Sequence, residues 1–170
     1  IKKVASKIKS DKADDYILGY TPLVSVSDYS FQEDVVEPAT NQERNIPGVY
    51  GRWADGYNVI LEQPVKRESG EIRNLTMSLE IDTVGEVKGS LDEYVVKAPR
   101  VLELITKFIT LFPGDVVTLG RVSERIEISA KEAARKKIKG MGKIKSLGTI
   151  EFSFHQLQKA YLNSERKVIL

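Results

Sequence analysis

The stretch Leu111-Phe-Pro-Gly-Asp-Val-Val-Thr-Leu-Gly-Arg121 restricts the fold of this chain more than any other. Ahead of it, Ala98 to Phe108 reads as one amphipathic helix, with Pro99 in the first turn, where the missing N–H costs nothing. Val101, Leu102, Ile105 and Phe108 recur at helical spacing and would share an apolar face. Pro113-Gly114 stops that helix, and Val116-Val117 is a short β-favouring run. The pattern is helix, tight turn, buried strand, then Gly120, where backbone passes close to something else. It reads as a scaffold edge beside a site, and alone it fits many folds.

The chain of 170 residues is long enough for one domain with a proper core. With 26 basic and 24 acidic residues its net charge is only +2. That balance does not point to nucleic acid or a membrane surface as partner. Cysteine is absent, which excludes a disulfide scaffold, a thiolate metal site and a thiol nucleophile. No run reaches the ~20 apolar residues of a membrane span and no signal peptide is visible. A cytoplasmic protein is expected. The first residue is Ile1, not methionine, which suggests further chain upstream.

Taken in order, residues 1–17 read as a strand end and a short helix entered near Ser10 or Asp11. Gly19 to Ser27 looks like a strand running into a polar loop, and residues 28–50 are long and irregular. Asn58 to Leu61 is a strand, and Lys66 to Gly70 a charged hairpin turn. Leu75 to Asp82 alternates strictly, with Leu75, Met77, Leu79 and Ile81 on one face. Gly85 to Gly89 is read as a turn. Glu124 to Ser129 alternates again, with Ile126 and Ile128 inward. Gly140-Met-Gly142 is read as breaking a basic run, Gly148 to Phe154 as a last strand, and residues 155–170 as a tail that would suit a helix carrying Leu157, Tyr161 and Leu162. The expected class is α+β, mostly β, with about six strands and two or three helices.

Four stretches together resemble the catalytic domain of the fumarylacetoacetate hydrolase family. Asp15-Tyr-Ile-Leu-Gly-Tyr-Thr21 is similar to the strand before its Asn-Asp-Val-Ser-Ala-Arg-Asp loop. Arg52-Trp-Ala-Asp-Gly-Tyr57 resembles its Lys-x-x-Asp-Gly-Phe segment, and Leu111 to Gly120 its Leu-x-Pro-Gly-Asp-x-Ile-x-x-Gly-Thr-Pro signature. Ile138 to Lys145 looks like its closing Ile-x-Gly-Ile-Gly-x-Leu-x strand. The resemblance implies a mixed β roll over residues 1–154, usually dimeric. It also implies a divalent cation, Mg²⁺ or Mn²⁺, held by a Glu-x-Glu element and one Asp. Such a hard cation wants carboxylate oxygens and would stabilise an enolate from a 2-oxo or β-diketo acid during C–C hydrolysis, decarboxylation or isomerisation.

The departures fall at the chemistry. Ser25 stands at the metal-binding Asp position, Arg52 at the lysine position, and Gly120-Arg121-Val122 at the Gly-Thr-Pro position. The Glu-x-Glu element is expected just ahead of Ile1. A hydroxyl is a weaker ligand than a carboxylate, and an arginine cannot serve as a base. The expectation is therefore a catalytically impaired member. The alternatives are a structural or regulatory subunit paired with an active paralogue, and a small-acid binding protein.

Candidate catalytic residues are Arg52 and Asp55, and candidate substrate-binding residues are Ser25, Ser27, Gly120 and Arg121. Two arginines suit a carboxylate because guanidinium offers paired donors. Asp28 is the one candidate metal ligand. Each has a plainer reading: Asp55 as an Asp-Gly turn, the arginines as solvated surface, the serines as loop hydrogen-bonders. His155, the single histidine, has no partner at recognisable spacing for a triad. The basic run Lys131 to Lys145 reads as a solvated face, and Trp53 and Tyr57 as packing or stacking aromatics. The partners expected are a small-molecule carboxylate and a homodimeric or paralogous subunit, with neither nucleic acid nor membrane.

Overall fold

Strict alternation makes Thr76–Ile81 (β4) the centre of the largest sheet, where it pairs antiparallel on both edges. The sheet order is β5-β4-β7-β8, with β5 at Gly85–Ser90, β7 at Ile138–Ile144 and β8 at Gly148–Phe154. The computed structural model describes residues 1–28, 52–53, 55–129, 137–154 and 167–169. Within them, Leu23–Ser25 (β1) pairs with Asn58–Ile60 (β3). Ser27–Asp28 (β2) and Glu127–Ser129 (β6) flank Lys167–Ile169 (β9) in a third small sheet. Pairings among the described residues are antiparallel throughout. The protein is mostly β, as its sequence implies.

The helix expected from Ala98 is present as Ala98–Ile105 (α1), with Pro99 in its first turn and Thr106 closing it. Phe108 does not join the apolar face. The helix ends before it, and it stands 87% exposed while Leu102 is buried. Thr106 is the buried polar exception: its Oγ1 accepts from Ile8 N (3.2 Å) and donates to Leu102 O (2.8 Å). That satisfies the hydroxyl and ties the N-terminal segment to the helix end. The 3₁₀ helix Ser10–Asp15, where a short helix was expected, packs Ala13 with Ala5, Ile8, Leu102 and Leu111 in one core cluster.

The second cluster holds Ile81, Ile126, Ile128 and Ile138, flanked by Leu79, Val87 and Phe152. Alternation was thus a faithful guide at β4 and at Ile126 and Ile128. Two glycine-bearing stretches behave differently from expectation. Gly85 to Gly89 is not a turn but most of β5; the turn is residues 82–84, and Ile81 pairs with Gly85. Within this strand Gly89 must be a glycine, because a Cβ there would lie 2.5 Å from Val122 O. Gly140-Met-Gly142 does not break the chain either, and lies inside β7. A Cβ on Gly140 would meet Phe152 and Ile81 side chains, and one on Gly142 would lie 2.6 Å from Val24 Cγ2.

Three further readings are corrected. Val116-Val117 forms no strand: among the described residues no strand pairs with it, and Val116 is 56% exposed. The N-terminal strand end is reduced to a single bridge, Ala5 with Leu111, closed by two hydrogen bonds of 2.9 Å. The turn expected over residues 66–70 lies at residues 69–74 and makes no hairpin, since β3 pairs with β1 and β4 with β5. The long irregular segment, residues 130–136, His155 and most of the tail lie outside the described residues; Lys167–Ile169 of that tail is strand.

Candidate functional site

The glycines of the large sheet place the site. Gly142 leaves room for Val24, and Gly148 for Leu61, so the β1–β3 ladder seats directly on β7 and β8. Val24 and Val26 are buried, and the intervening Ser25 and the following Ser27 belong to the opposite face of the strand. Both serines line an open cleft of about 870 Å³. Residues of β1, β3, β4 and β7 bound it, together with the extended segment 114–121.

Arg52, Gly120 and Arg121 line the same cleft as Ser25 and Ser27, so five of the candidate residues share one space. Arg52 Nε donates to Ser27 Oγ at 3.0 Å. Ser25 Oγ donates to Asn58 Oδ1 at 2.9 Å, across the Ser25–Asn58 register pair, and Asn58 Nδ2 reaches Arg52 O at 3.4 Å. These bonds hold the arginine's stem through Nε and its carbonyl. Among the described residues neither Nη group has a hydrogen-bond partner, which leaves them as a planar fork for a carboxylate. Asp55 sits elsewhere: it is exposed, in the Asp55-Gly56 turn with Gly56 at φ 78°, and is not among the residues lining the cleft. Asp28 contributes backbone to β2, paired with Val168.

Sequence reasoning missed Asn58, Tyr94 and Lys143, all of which line the cleft. Lys143 was absorbed into the basic run; strand alternation separates it, because Ile138, Gly140 and Gly142 are buried while Lys139 and Lys143 are exposed. Tyr94 carried a local signal, the Ser90–Glu93 capping box just before it. Burial pushes its phenol above the ordinary tyrosine value. Burial does the same at Tyr20, against a lowering by the hydrogen bond with Ser69 Oγ at 2.6 Å. Ser69 Oγ also bonds the Asp14 carboxylate. Tyr20 also lines the cleft.

The donor set for a divalent ion is a separate matter. Glu62, Asp115 and Glu124 line the cleft. Asp115 is engaged at the turn, where its Oδ2 accepts from Phe112 N at 2.7 Å. Among the described residues no three acidic or histidine side chains converge on one point. With a neutral hydroxyl at Ser25, these residues alone do not fit a hard divalent ion. Among them, too, no helix is long and apolar enough to cross a membrane.

Comparisons with known proteins agree on the ancestry of this arrangement. An uncharacterised protein of Pyrococcus abyssi is 27% identical over 120 residues, 71% of this chain and 51% of that protein. The homoprotocatechuate catabolism bifunctional isomerase/decarboxylase of Escherichia coli is 27% identical over 133 residues, 78% of this chain and 28% of that enzyme. The chain therefore spans about half the length of the first relative, 51%, and less of the second. The crystal structure of fumarylpyruvate hydrolase from Pseudomonas aeruginosa in complex with Mn²⁺ and pyruvate superposes with a TM-score of 0.69 at 18% identity. It covers 92% of this chain, and 62% of that one, and shows a shared fold. The model of the fumarylacetoacetate (FAA) hydrolase C-terminal domain matches residues 1–149, nearly the whole described chain. That match over most of its length makes this chain a member of the fumarylacetoacetate hydrolase family.

Proposed function

We propose that the cleft binds a small carboxylate, of the 2-oxo acid class, and that metal-dependent C–C bond chemistry is weakened or lost in this chain. One observation carries the reading: Arg52 is anchored on Ser27 at 3.0 Å, beside a Ser25 hydroxyl already committed to Asn58 at 2.9 Å. A position that would serve a cation as carboxylate serves here as part of an arginine's support. Arg52 and Arg121 supply fixed positive charge to an acid, and Arg125 and Lys143 also line the cleft. A fixed guanidinium binds a carboxylate without removing a proton, so affinity is retained where base catalysis is not. A cytoplasmic setting accords with the absence of cysteine.

The test is thermal denaturation and calorimetry of the full protein with oxalate and pyruvate, in EDTA and then with Mg²⁺ or Mn²⁺. Oxalate is expected to raise the melting temperature in EDTA, and Arg52→Gln to abolish the rise. Binding that appears only with metal, or metal-dependent decarboxylation of oxaloacetate, would restore the active-enzyme reading.

A second reading rests on a different surface. Phe108 is 87% exposed, and Ile109, Phe112 and Val116 are each 56% exposed, an apolar run beyond the end of α1. Such a run suits a subunit contact, either a homodimer or a hetero-oligomer with a paralogue. Light scattering of the wild type and Phe108→Glu distinguishes it: a mass that does not fall in the variant removes that contact.

A further inference from the structure

Tyr94 belongs neither to the sequence motifs nor to the carboxylate-binding pair, yet it holds the segment on which Arg121 stands. The capping box directs it. Ser90 Oγ accepts from Asp92 N at 3.3 Å, and Glu93 Oε1 accepts from Ser90 N at 3.2 Å, so the chain leaves β5 in one fixed direction. The Tyr94 phenol then donates to Gly120 O at 2.7 Å.

Gly120 needs such a hold. Its φ is 88°, and no atom lies within 4 Å of the place a Cβ would take, so side-chain packing does not restrain it. Residues 115–121 are outside any strand, and a glycine of this kind reorients its peptide at little cost. Turning the Gly120–Arg121 peptide would swing the guanidinium away from the cleft that both residues line. A hydrogen bond from a half-buried phenol to that one carbonyl blocks the turn. We infer that Tyr94 is a positioning residue: it locks the Gly120–Arg121 peptide and so aims Arg121 at the bound acid. The inference rests on the small-carboxylate reading of the cleft. Its energetic content is preorganisation, since a restrained arginine loses less freedom on binding.

Two measurements on the full protein test it. Hydrogen exchange without ligand is expected to run about 3- to 10-fold faster across residues 118–122 in Tyr94→Phe than in wild type, as loss of one hydrogen bond allows. Residues 76–81 of β4 should exchange unchanged. Calorimetry with oxalate is expected to show about 3- to 10-fold weaker binding in Tyr94→Phe. In an Arg121→Gln background the same change should cost nothing further, because the arginine it aims is gone. Equal losses in both backgrounds would show that Tyr94 acts independently of Arg121 and would overturn the inference. If the wild type binds neither oxalate nor pyruvate, the carboxylate reading falls. Exchange at 118–122 then decides the clamp alone, and an unchanged rate there ends it.

Discussion

The same residue type does opposite work in the large sheet and in the segment 114–121. Gly140 and Gly142 in β7 are buried and have no room for a methyl group: Ile81 Cδ1 lies 2.6 Å from one would-be Cβ, and Val24 Cγ2 2.6 Å from the other. Gly114 and Gly120 have open space around them but left-handed backbones, with φ of 95° and 88°. In the sheet, glycine is a matter of volume; in the segment it is a matter of dihedral angle. The first kind builds a rigid seat for Ser25. The second leaves a peptide that must be held from outside, and Tyr94 holds it.

The largest expected effect tests the rigidity of the seat. Ile128→Ala removes a fully buried side chain from the cluster it forms with Ile81, Ile126 and Ile138. It should cost about 2–5 kcal/mol in urea denaturation. A loss under about 1 kcal/mol would mean that this side of the sheet tolerates a cavity, and the contrast with the segment would weaken.

Next come the glycines themselves, where the two regions should rank substitutions in opposite order. Gly142→Ala should destabilise by about 1–3 kcal/mol, and Gly142→Asn by more, because each added atom must displace Val24. Gly120→Ala should cost about 1–2 kcal/mol through its backbone alone. Gly120→Asn should cost less than Gly120→Ala, since asparagine tolerates the left-handed region and space is available. The same ranking at both positions would break the comparison.

The smallest effect is a pH dependence at the cleft margin. Burial raises the Tyr20 phenol above its ordinary value of 10.0. The folded state therefore holds the proton more tightly than the unfolded chain. The associated stability is intact below that ordinary value and is lost as pH rises toward the folded-state pKa. Urea midpoints should fall as pH rises above that ordinary value, and fall less in Tyr20→Phe. Identical slopes in the two proteins would show that other groups carry the alkaline loss.

How much of this was legible beforehand differs by region. β4 was legible because one face is packed against a core and the other is not, which writes a period of two into the sequence. α1 was legible from Pro99 and its apolar spacing, although its end was not, since Phe108 continues the pattern past Ile105, where the helix gives way to hydrogen-bonded turns. β5 and β7 were hidden by their glycines, whose reason lies in Val122, Phe152 and Val24, all distant in sequence. Ser25, Ser27, Arg52 and Arg121 were found by position within motifs. Asn58 and Lys143 were not, because a strand residue becomes part of a cleft only once another strand is laid across it.

Local chemistry by itself determined which segments alternate, where α1 starts, where Pro113-Gly114 turns, and that no thiol takes part. Those follow from dihedral preferences and apolar periodicity, which act within a few residues. Tertiary structure decided that Val116-Val117 would find no strand to pair with among the described residues and that Asp55 would stand outside the cleft. It also decided that Arg52 would rest on Ser27 and Tyr94 on Gly120. Each of these depends on two stretches meeting, and the free energy of a contact belongs to the pair and not to either partner's sequence.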